Sequence, residues 1–186
     1  DLLAADSLLP DAPANGKYYS ATKWAAKAYL AKVYFQQNNF AKAYQYANEV
    51  IESNKFILDA TFDKRFSKGL STEGIMVIAD QTTPNQYNPG VELRNNFRSD
   101  ISIPGFTFTD QFYNIATARS ADLRKAWYSN TLQAGYNVLT KYNKNFFDLP
   151  LVHLTEMKLI RAEAGAEIGG ANLAVAITDI NQLMTR

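Results

Sequence analysis

Cysteine is absent from the 186 residues, and histidine occurs once, as His153. The first absence excludes disulfides, thiolate metal sites and a cysteine nucleophile. The second leaves a histidine-rich zinc site or a Ser-His-Asp triad with only His153 to use. A lone histidine just before a helix reads as a satisfied hydrogen-bonding group rather than a catalytic one. Charge of one sign is also missing: 19 Lys and Arg stand against 18 Asp and Glu, a net charge of +1, and the cations are spread along the chain. That balance gives no electrostatic footprint for nucleic acid or an anionic membrane. No apolar run approaches the roughly 18 residues of a spanning helix, and the first residues do not read as a signal peptide. No cofactor, no metal and no catalytic residue is assigned. What is plentiful is apolar and aromatic. Hydrophobic residues make up 47% and aromatics 13%, with 11 Tyr, 11 Phe and 2 Trp. The length suits a single domain, residues 1–186, with a real apolar core. The aromatic excess fits either a thick core or exposed rings that stack on sugars.

Residues 1–17 carry Pro10, Pro13 and Gly16 and read as an irregular lead-in. Residues 20–53 form a first helical hairpin. Trp24, Ala28, Ala31 and Tyr34/Phe35 recur at helical spacing, Asn38-Asn39 supplies a turn, and Phe40, Ala43, Ala47 and Val50/Ile51 make a second stripe. Residues 150–186 repeat the design. Leu154, Met157, Ile160, Ala164 and Ile168 line one helix, Gly169-Gly170 stops it, and Asn172 is placed to cap the next, lined by Leu173, Ala176/Ile177, Ile180 and Leu183/Met184. Ala31 and Ala43, then Ala162 and Ala174, are small residues facing each other across the turns. This is the logic of tetratricopeptide-type hairpins, whose repeat is about 34 residues. The two hairpins lie 131 residues apart (Ala31 to Ala162), which argues against a continuous solenoid. Residues 54–149 between them read as a long irregular, loop-rich middle with minor β structure. The spacing predicts a strand over 74–79, a loop over 81–105, a helix over about 107–117, and another near 120–130 opened by Ser120 or Asp122. Residues 131–149 read as irregular.

The ordered set of segments resembles the SusD-like (RagB/SusD) family. It comprises the hairpin from Lys23 to Ser53, then Phe56-Ile57-Leu58, Phe66 and Glu73-Gly74-Ile75-Met76-Val77-Ile78. Asp122-Leu123-Arg124 and Lys141-Tyr142 follow, then Asp148, Pro150, Leu151, Val152, His153, Glu156, Met157, Leu159, Ile160, Ala162, Glu163 and Ala164, and finally Ile180-Asn181 and Arg186. His153 stands where that family usually has Arg, and Gly74 opens the strand. The resemblance implies a mainly α fold built on TPR-like hairpins. It also implies a non-enzymatic, lipid-anchored protein of the outer-membrane surface, which passes a glycan or other nutrient to a SusC-like TonB-dependent porin. Family members are several hundred residues long, so the chain is expected to be a fragment.

For the ligand, the loop after the Glu-hydrophobic strand is the expected surface. Tyr87, Asn88, Asn95, Asn96, Arg98 and Phe106 mix rings with amides there, and Trp127 and Tyr128, with Tyr136 and Tyr142, offer further rings. The plainer reading is that such rings fill the core. Glu156 and Glu163 share a helix face and suit salt bridges with Lys158 and Arg161. Asp122-Arg124 reads as a helix start, and Trp24 as core. Two other functions are carried: a TPR-like protein-interaction module, and a carbohydrate-active enzyme using a carboxylate such as Asp110 or Glu156.

Overall fold

The computed structural model describes residues 1–14, 16–67, 69, 71–79, 96–143 and 147–185. In chain order its elements are α1 (Leu2–Leu8), α2 (Lys23–Gln36), α3 (Phe40–Glu52), β1 (Gly74–Ile78), α4 (Asp110–Thr117), β2 (Tyr128–Gln133), β3 (Tyr136–Leu139), β4 (Leu149–His153), α5 (Leu154–Ile168) and α6 (Asn172–Met184). Short 3-10 helices span Phe62–Phe66 and Leu123–Trp127. The architecture is mainly α. The chain divides into two compact units: Asp1–Arg65 with Leu70–Ile78 and Pro150–Arg186, and Phe66–Gly69 with Ala79–Leu149.

The first unit contains both hairpins, packed against each other through α3 and α5. Its first turn depends on asparagine. Asn38 takes a left-handed backbone with φ 56°, which Asn adopts at low cost. The Asn39 side chain accepts from the Lys42 amide at 3.3 Å and caps α3. The core is built largely of small residues: Ala28, Ala31, Ala43, Ala47 and Ala164 are fully buried beside Val50, Ile75, Val152 and Met157. Small side chains let the helix axes approach closely. Gly165 marks the tightest place, since a Cβ there would stand 3.1 Å from the Tyr44 ring and 3.2 Å from the Asn172 carbonyl oxygen.

Helix α5 packs against both α3 and α6, so it buries charge as well as apolar surface. Lys158 and Arg161 are both buried and meet the fully buried Asp179 of α6. The Lys158 Nζ lies 2.8 Å from Asp179 Oδ1, and Arg161 Nε and Nη2 reach the two carboxylate oxygens at 2.7 and 2.8 Å. Arg161 Nη1 extends to Asn48 Oδ1 at 2.8 Å and Glu52 Oε1 at 3.1 Å on α3. One guanidinium therefore ties three helices together. The same demand corrects an expectation. Asp179 must face inward, so Ala176, one turn before it, is the small residue that α6 buries, while Ala174 turns outward and is exposed. Glu156 likewise pairs with Lys32 of α2 at 2.8 Å, not with Lys158 or Arg161. Asn172 does not cap α6; its amide donates back to the Gly169 carbonyl at 3.4 Å.

Strands β1 and β4 pair with each other, and β4 was not foreseen. Beside them Glu73, with no exposed surface, accepts from the Asp59 amide at 3.0 Å, Arg65 Nη2 at 2.9 Å, and both the amide and hydroxyl of Thr155. His153 caps α5, its Nδ1 accepting from the Glu156 amide at 3.3 Å, which is the hydrogen-bonding role expected of it. The lead-in is partly helical: α1 packs along α2, and Asp6 reaches Lys27 at 3.0 Å. Packing on α2 holds this turn of helix ahead of the Pro and Gly that follow from residue 10.

In the second unit the expected helix near 120–130 is only the 3-10 turn, opened by Asp122 accepting from the Arg124 amide at 3.0 Å. From Tyr128 the chain is extended, and β2 and β3 form an antiparallel hairpin with Tyr128 opposite Leu139 and Gln133 opposite Tyr136. Ala134-Gly135 turns it, with Gly135 at φ 81°. Tyr128 and Thr131 favour the pleated surface over a helix. The stretch 131–149 is therefore not wholly irregular.

Burial pushes the Asp179 carboxyl up, but the hydrogen bonds from Arg161 and Lys158 outweigh it and hold it below its usual range. A carboxylate lowered on folding stabilises the protein above about pH 4 and loses that contribution as pH falls through its folded value. Asp179→Asn should cost about 3 kcal/mol in urea unfolding at neutral pH. The gap from wild type should narrow steadily on acidification below about pH 4.

Candidate functional site

Exposed aromatic rings are costly to hold in one orientation unless something backs them. Phe106 is backed. Its ring stacks on Phe97 with centroids 5.4 Å apart and planes at 27°, yet the residue remains 57% exposed. One face is thus covered by a ring and the rest is open to solvent. The loop holding it is pinned by the Phe106 amide donating to the Asn96 carbonyl at 3.1 Å. The Asn96 side chain lies beside Gly105, with its Oδ1 3.5 Å from where a Cβ would stand. The exposed Asn96 thus stands beside Gly105, the residue that precedes Phe106.

The stack continues inward. Phe97 lies 5.7 Å from Tyr142, Tyr142 lies 5.4 Å from Phe66 and 5.6 Å from Phe147, and Phe66 lies 6.2 Å from Trp127. Phe66 and Phe147 are buried, and burial also pushes the Tyr142 phenol up from its ordinary value. Lys141 sits over three of these rings, 4.7 Å from Phe66, 4.8 Å from Tyr142 and 5.3 Å from Trp127. A cation over ring faces is attracted by their quadrupoles. Ser99, fully buried, fixes the same region by donating to the Leu139 carbonyl at 2.9 Å and receiving Asn143 Nδ2 at 3.0 Å. Within the second unit a spine of ring contacts therefore runs from the buried Phe66 and Phe147 to Phe106.

The sequence-derived candidates separate on this geometry. Phe106 and Asn96 come together at the surface. Arg98 is turned to Asp100, which it grips in a two-pronged pair, Nη2 to Oδ2 at 2.8 Å; that carboxylate raises the guanidinium pKa further. Trp127 is half-buried in the spine. Tyr128 is half-buried too, edge-on to Phe108 at 5.7 Å and to Phe112 at 5.8 Å. Tyr87, Asn88 and Asn95 lie outside the described residues. Sequence reasoning passed over Phe97 and Phe112. Phe97 had a signal, lying between two chosen residues, whereas nothing local distinguished Phe112 from a core ring.

Other chemistry is sparse. Among the described residues no group of three or more acidic or histidine side chains is arranged to hold a metal, and no helix is long and apolar enough to cross a membrane. Asp110 is held by Asn137 Nδ2 at 2.7 Å, and Glu156 by Lys32. In the first unit α5 and α6 enclose an open groove lined by Leu159, Ala162, Ala166, Leu173, Ile177 and Ile180. It is aliphatic and offers no ring.

The sequence matches no family model, and no curated protein matches it. Solved structures do match its fold. A SusD superfamily protein from Bacteroides thetaiotaomicron superposes with a TM-score of 0.80 at 19% identity, over 100% of this chain and 45% of the other. A SusD superfamily protein from Bacteroides vulgatus gives 0.79 at 20% identity, over 97% of this chain and 43% of the other. Surface glycan-binding protein A from Bacteroides uniformis gives 0.72 at 22% identity, over 97% and 46%. The mainly α SusD-like fold expected from the ordered motifs is the fold found, and the chain spans less than half the length of these neighbours.

Support and display should separate under mutation. Tyr142→Ala, which empties the middle of the spine, should lower unfolding free energy by about 3 kcal/mol. Phe106→Ala, which removes a largely exposed ring, should lower it by no more than about 1 kcal/mol. Chemical denaturation followed by circular dichroism measures both.

Proposed function

We propose that this chain, a SusD-like fold, is the capture part of a cell-surface glycan-binding protein, holding oligosaccharide without making or breaking a bond. The observation that carries the proposal is the Phe106 ring, open on one face and braced on the other by Phe97, with the exposed Asn96 beside the preceding Gly105. Sugar rings present C–H faces that pack on aromatic faces, and their hydroxyls need donors and acceptors close by. A preorganised ring loses little entropy when it binds. The Bacteroides uniformis neighbour is a surface glycan-binding protein, which supports the same reading. In it the two hairpins and the stretch between them act as one SusD-like domain. The full-length protein is lipid-anchored at the outer membrane and hands its ligand to a SusC-like TonB-dependent porin.

A second reading is favoured by one observation. The aliphatic groove of α5 and α6 suits the apolar stripe of a partner helix, as a TPR-like interaction module would require.

Affinity electrophoresis against a panel of soluble polysaccharides, with reducing-sugar release followed in parallel, tests the proposal. The wild-type chain should be retarded by at least one glycan and should release no sugar. Phe106→Ala should weaken that binding roughly tenfold, about 1.4 kcal/mol, and Phe97→Ala should weaken it as well by unseating the ring. Sugar release, or retardation unchanged in both variants, would overturn it.

A further inference from the structure

His153, the only histidine in the chain, stands between two groups that make opposite demands on it. Its Nδ1 accepts from the Glu156 amide at 3.3 Å, so that nitrogen carries no proton and the ring hydrogen sits on Nε2. The same Nδ1 lies 4.0 Å from Oε2 of Glu73, which has no exposed surface. A neutral imidazole serves the amide and offers this carboxylate nothing. A protonated one donates from both nitrogens, so it must give up the amide and is drawn to the carboxylate.

The other charged groups around this point are already engaged. Arg65, from the 3-10 helix Phe62–Phe66, gives Nη2 to Glu73 Oε2 at 2.9 Å. The Glu156 carboxylate, in the first turn of α5, turns to Lys32 of α2 at 2.8 Å. Asp59 is buried and receives the Ser71 hydroxyl at 2.7 Å and the Thr72 amide at 2.9 Å. Glu73 is thus the carboxylate that faces Nδ1, about 1 Å beyond a hydrogen bond. Its Oε2 also holds the amide of Thr155, at 3.3 Å, and the Thr155 hydroxyl. An arriving imidazolium competes with that long amide bond first. Thr155 and Glu156 both lie in the first turn of α5, whose positive end also repels a cation. Both bonds given up therefore belong to one turn of helix. The Leu154 amide, which donates to the Glu73 backbone carbonyl at 2.9 Å, is not involved.

We propose that His153 is an acid-operated catch inside the first unit, at the point where the chain passes from β4 into α5. Neutral, it caps α5 and holds the first turn. Charged, it moves Nδ1 to Glu73 and releases that turn, while the backbone bond from Leu154 to Glu73 stays made. The start of α5 is then held firmly at neutral pH and loosely in acid. The device is independent of what the Phe106 ring binds.

NMR of the whole labelled chain between about pH 8 and pH 5, the range in which an imidazole changes charge, tests it, and a single histidine makes the ring signal unambiguous. As the ring titrates, protection of the Glu156 and Thr155 amides against hydrogen exchange, corrected for the intrinsic rate, should fall roughly fivefold, the loss expected when a helix cap goes. The Leu154 amide should keep its protection. His153→Asn, which caps without titrating, should hold the neutral-pH protection throughout, and His153→Arg, always charged, should show the acid values at every pH. Glu73→Gln should lower the titration midpoint of the ring by about one pH unit or more, because the imidazolium loses its carboxylate. If that variant unfolds, Thr155→Val, which removes one donor from Oε2, should raise the midpoint instead. Protection that stays constant while the ring titrates, or that falls equally in His153→Asn, overturns the catch. A midpoint unmoved in the Glu73 variant, or in the Thr155 variant if that one carries the test, overturns the pairing with Glu73 and the proposal with it.

Discussion

A buried carboxylate fixes where the long middle of this chain leaves and returns. Glu73 has no exposed surface, and its two oxygens collect donors from three separate stretches: the Asp59 amide, the Arg65 guanidinium, and the amide and hydroxyl of Thr155. A buried charge is tolerable only when it is paired and fully hydrogen-bonded, so these partners are obligatory. Thr155 lies in the first turn of α5, and Glu73 directly precedes β1. With β1 paired to β4, the chain entering the middle and the chain leaving it are held side by side. Some seventy residues then form an excursion whose ends are already closed, which removes the loop-closure part of the entropy cost, about 4 kcal/mol.

Aromatic residues divide into two populations by what covers them. Phe66 and Phe147 are buried, and Phe66, Tyr142 and Trp127 lie around the ammonium of Lys141. They are structural. Phe106 and Phe112 are the opposite case: each has one ring behind it and solvent in front. Hydrophobic burial gives no reason for such a placement, because the open face gains nothing until something covers it. The same distinction separates these rings from the α5/α6 groove, where the exposed side chains are aliphatic and flexible.

Much of the scaffold was legible in the sequence. The helical periodicity of residues 23–52 and 154–184 and the Asn38-Asn39 turn are local properties, and local properties survive folding. The reading failed where tertiary demands overruled local ones. Helix α1 is short and gains its stability by packing on α2, which its own composition does not reveal. Ala174 lost its expected place to Ala176 because Asp179, eighteen residues beyond Arg161, had to face the buried cations. The β2–β3 hairpin was obscured by Leu123, Lys125 and Ala126, which favour helix just before Tyr128. At the candidate site Phe106 and Asn96, both named from the sequence, are joined through the Phe106 amide and the Asn96 carbonyl. Trp127 was named with core packing as its plainer reading, and its ring lies edge-on to the buried Phe66. Phe97 lay between two chosen residues and was still passed over, and nothing local marked Phe112, since ring-on-ring backing depends on contacts that no one-dimensional pattern encodes.

The account stands or falls on which surface a sugar touches. Proton NMR of the isotope-labelled chain, titrated with a retained oligosaccharide, reads that directly through ring-current shifts. Resonances of the Phe106 and Phe97 rings and the Asn96 side-chain amide should move first and furthest, and the sugar's C–H protons should shift upfield as they pass over the ring. Movement concentrated instead at Leu173, Ile177 and Ile180, with the Phe106 ring unperturbed, would contradict it and turn the molecule's function towards its helical groove.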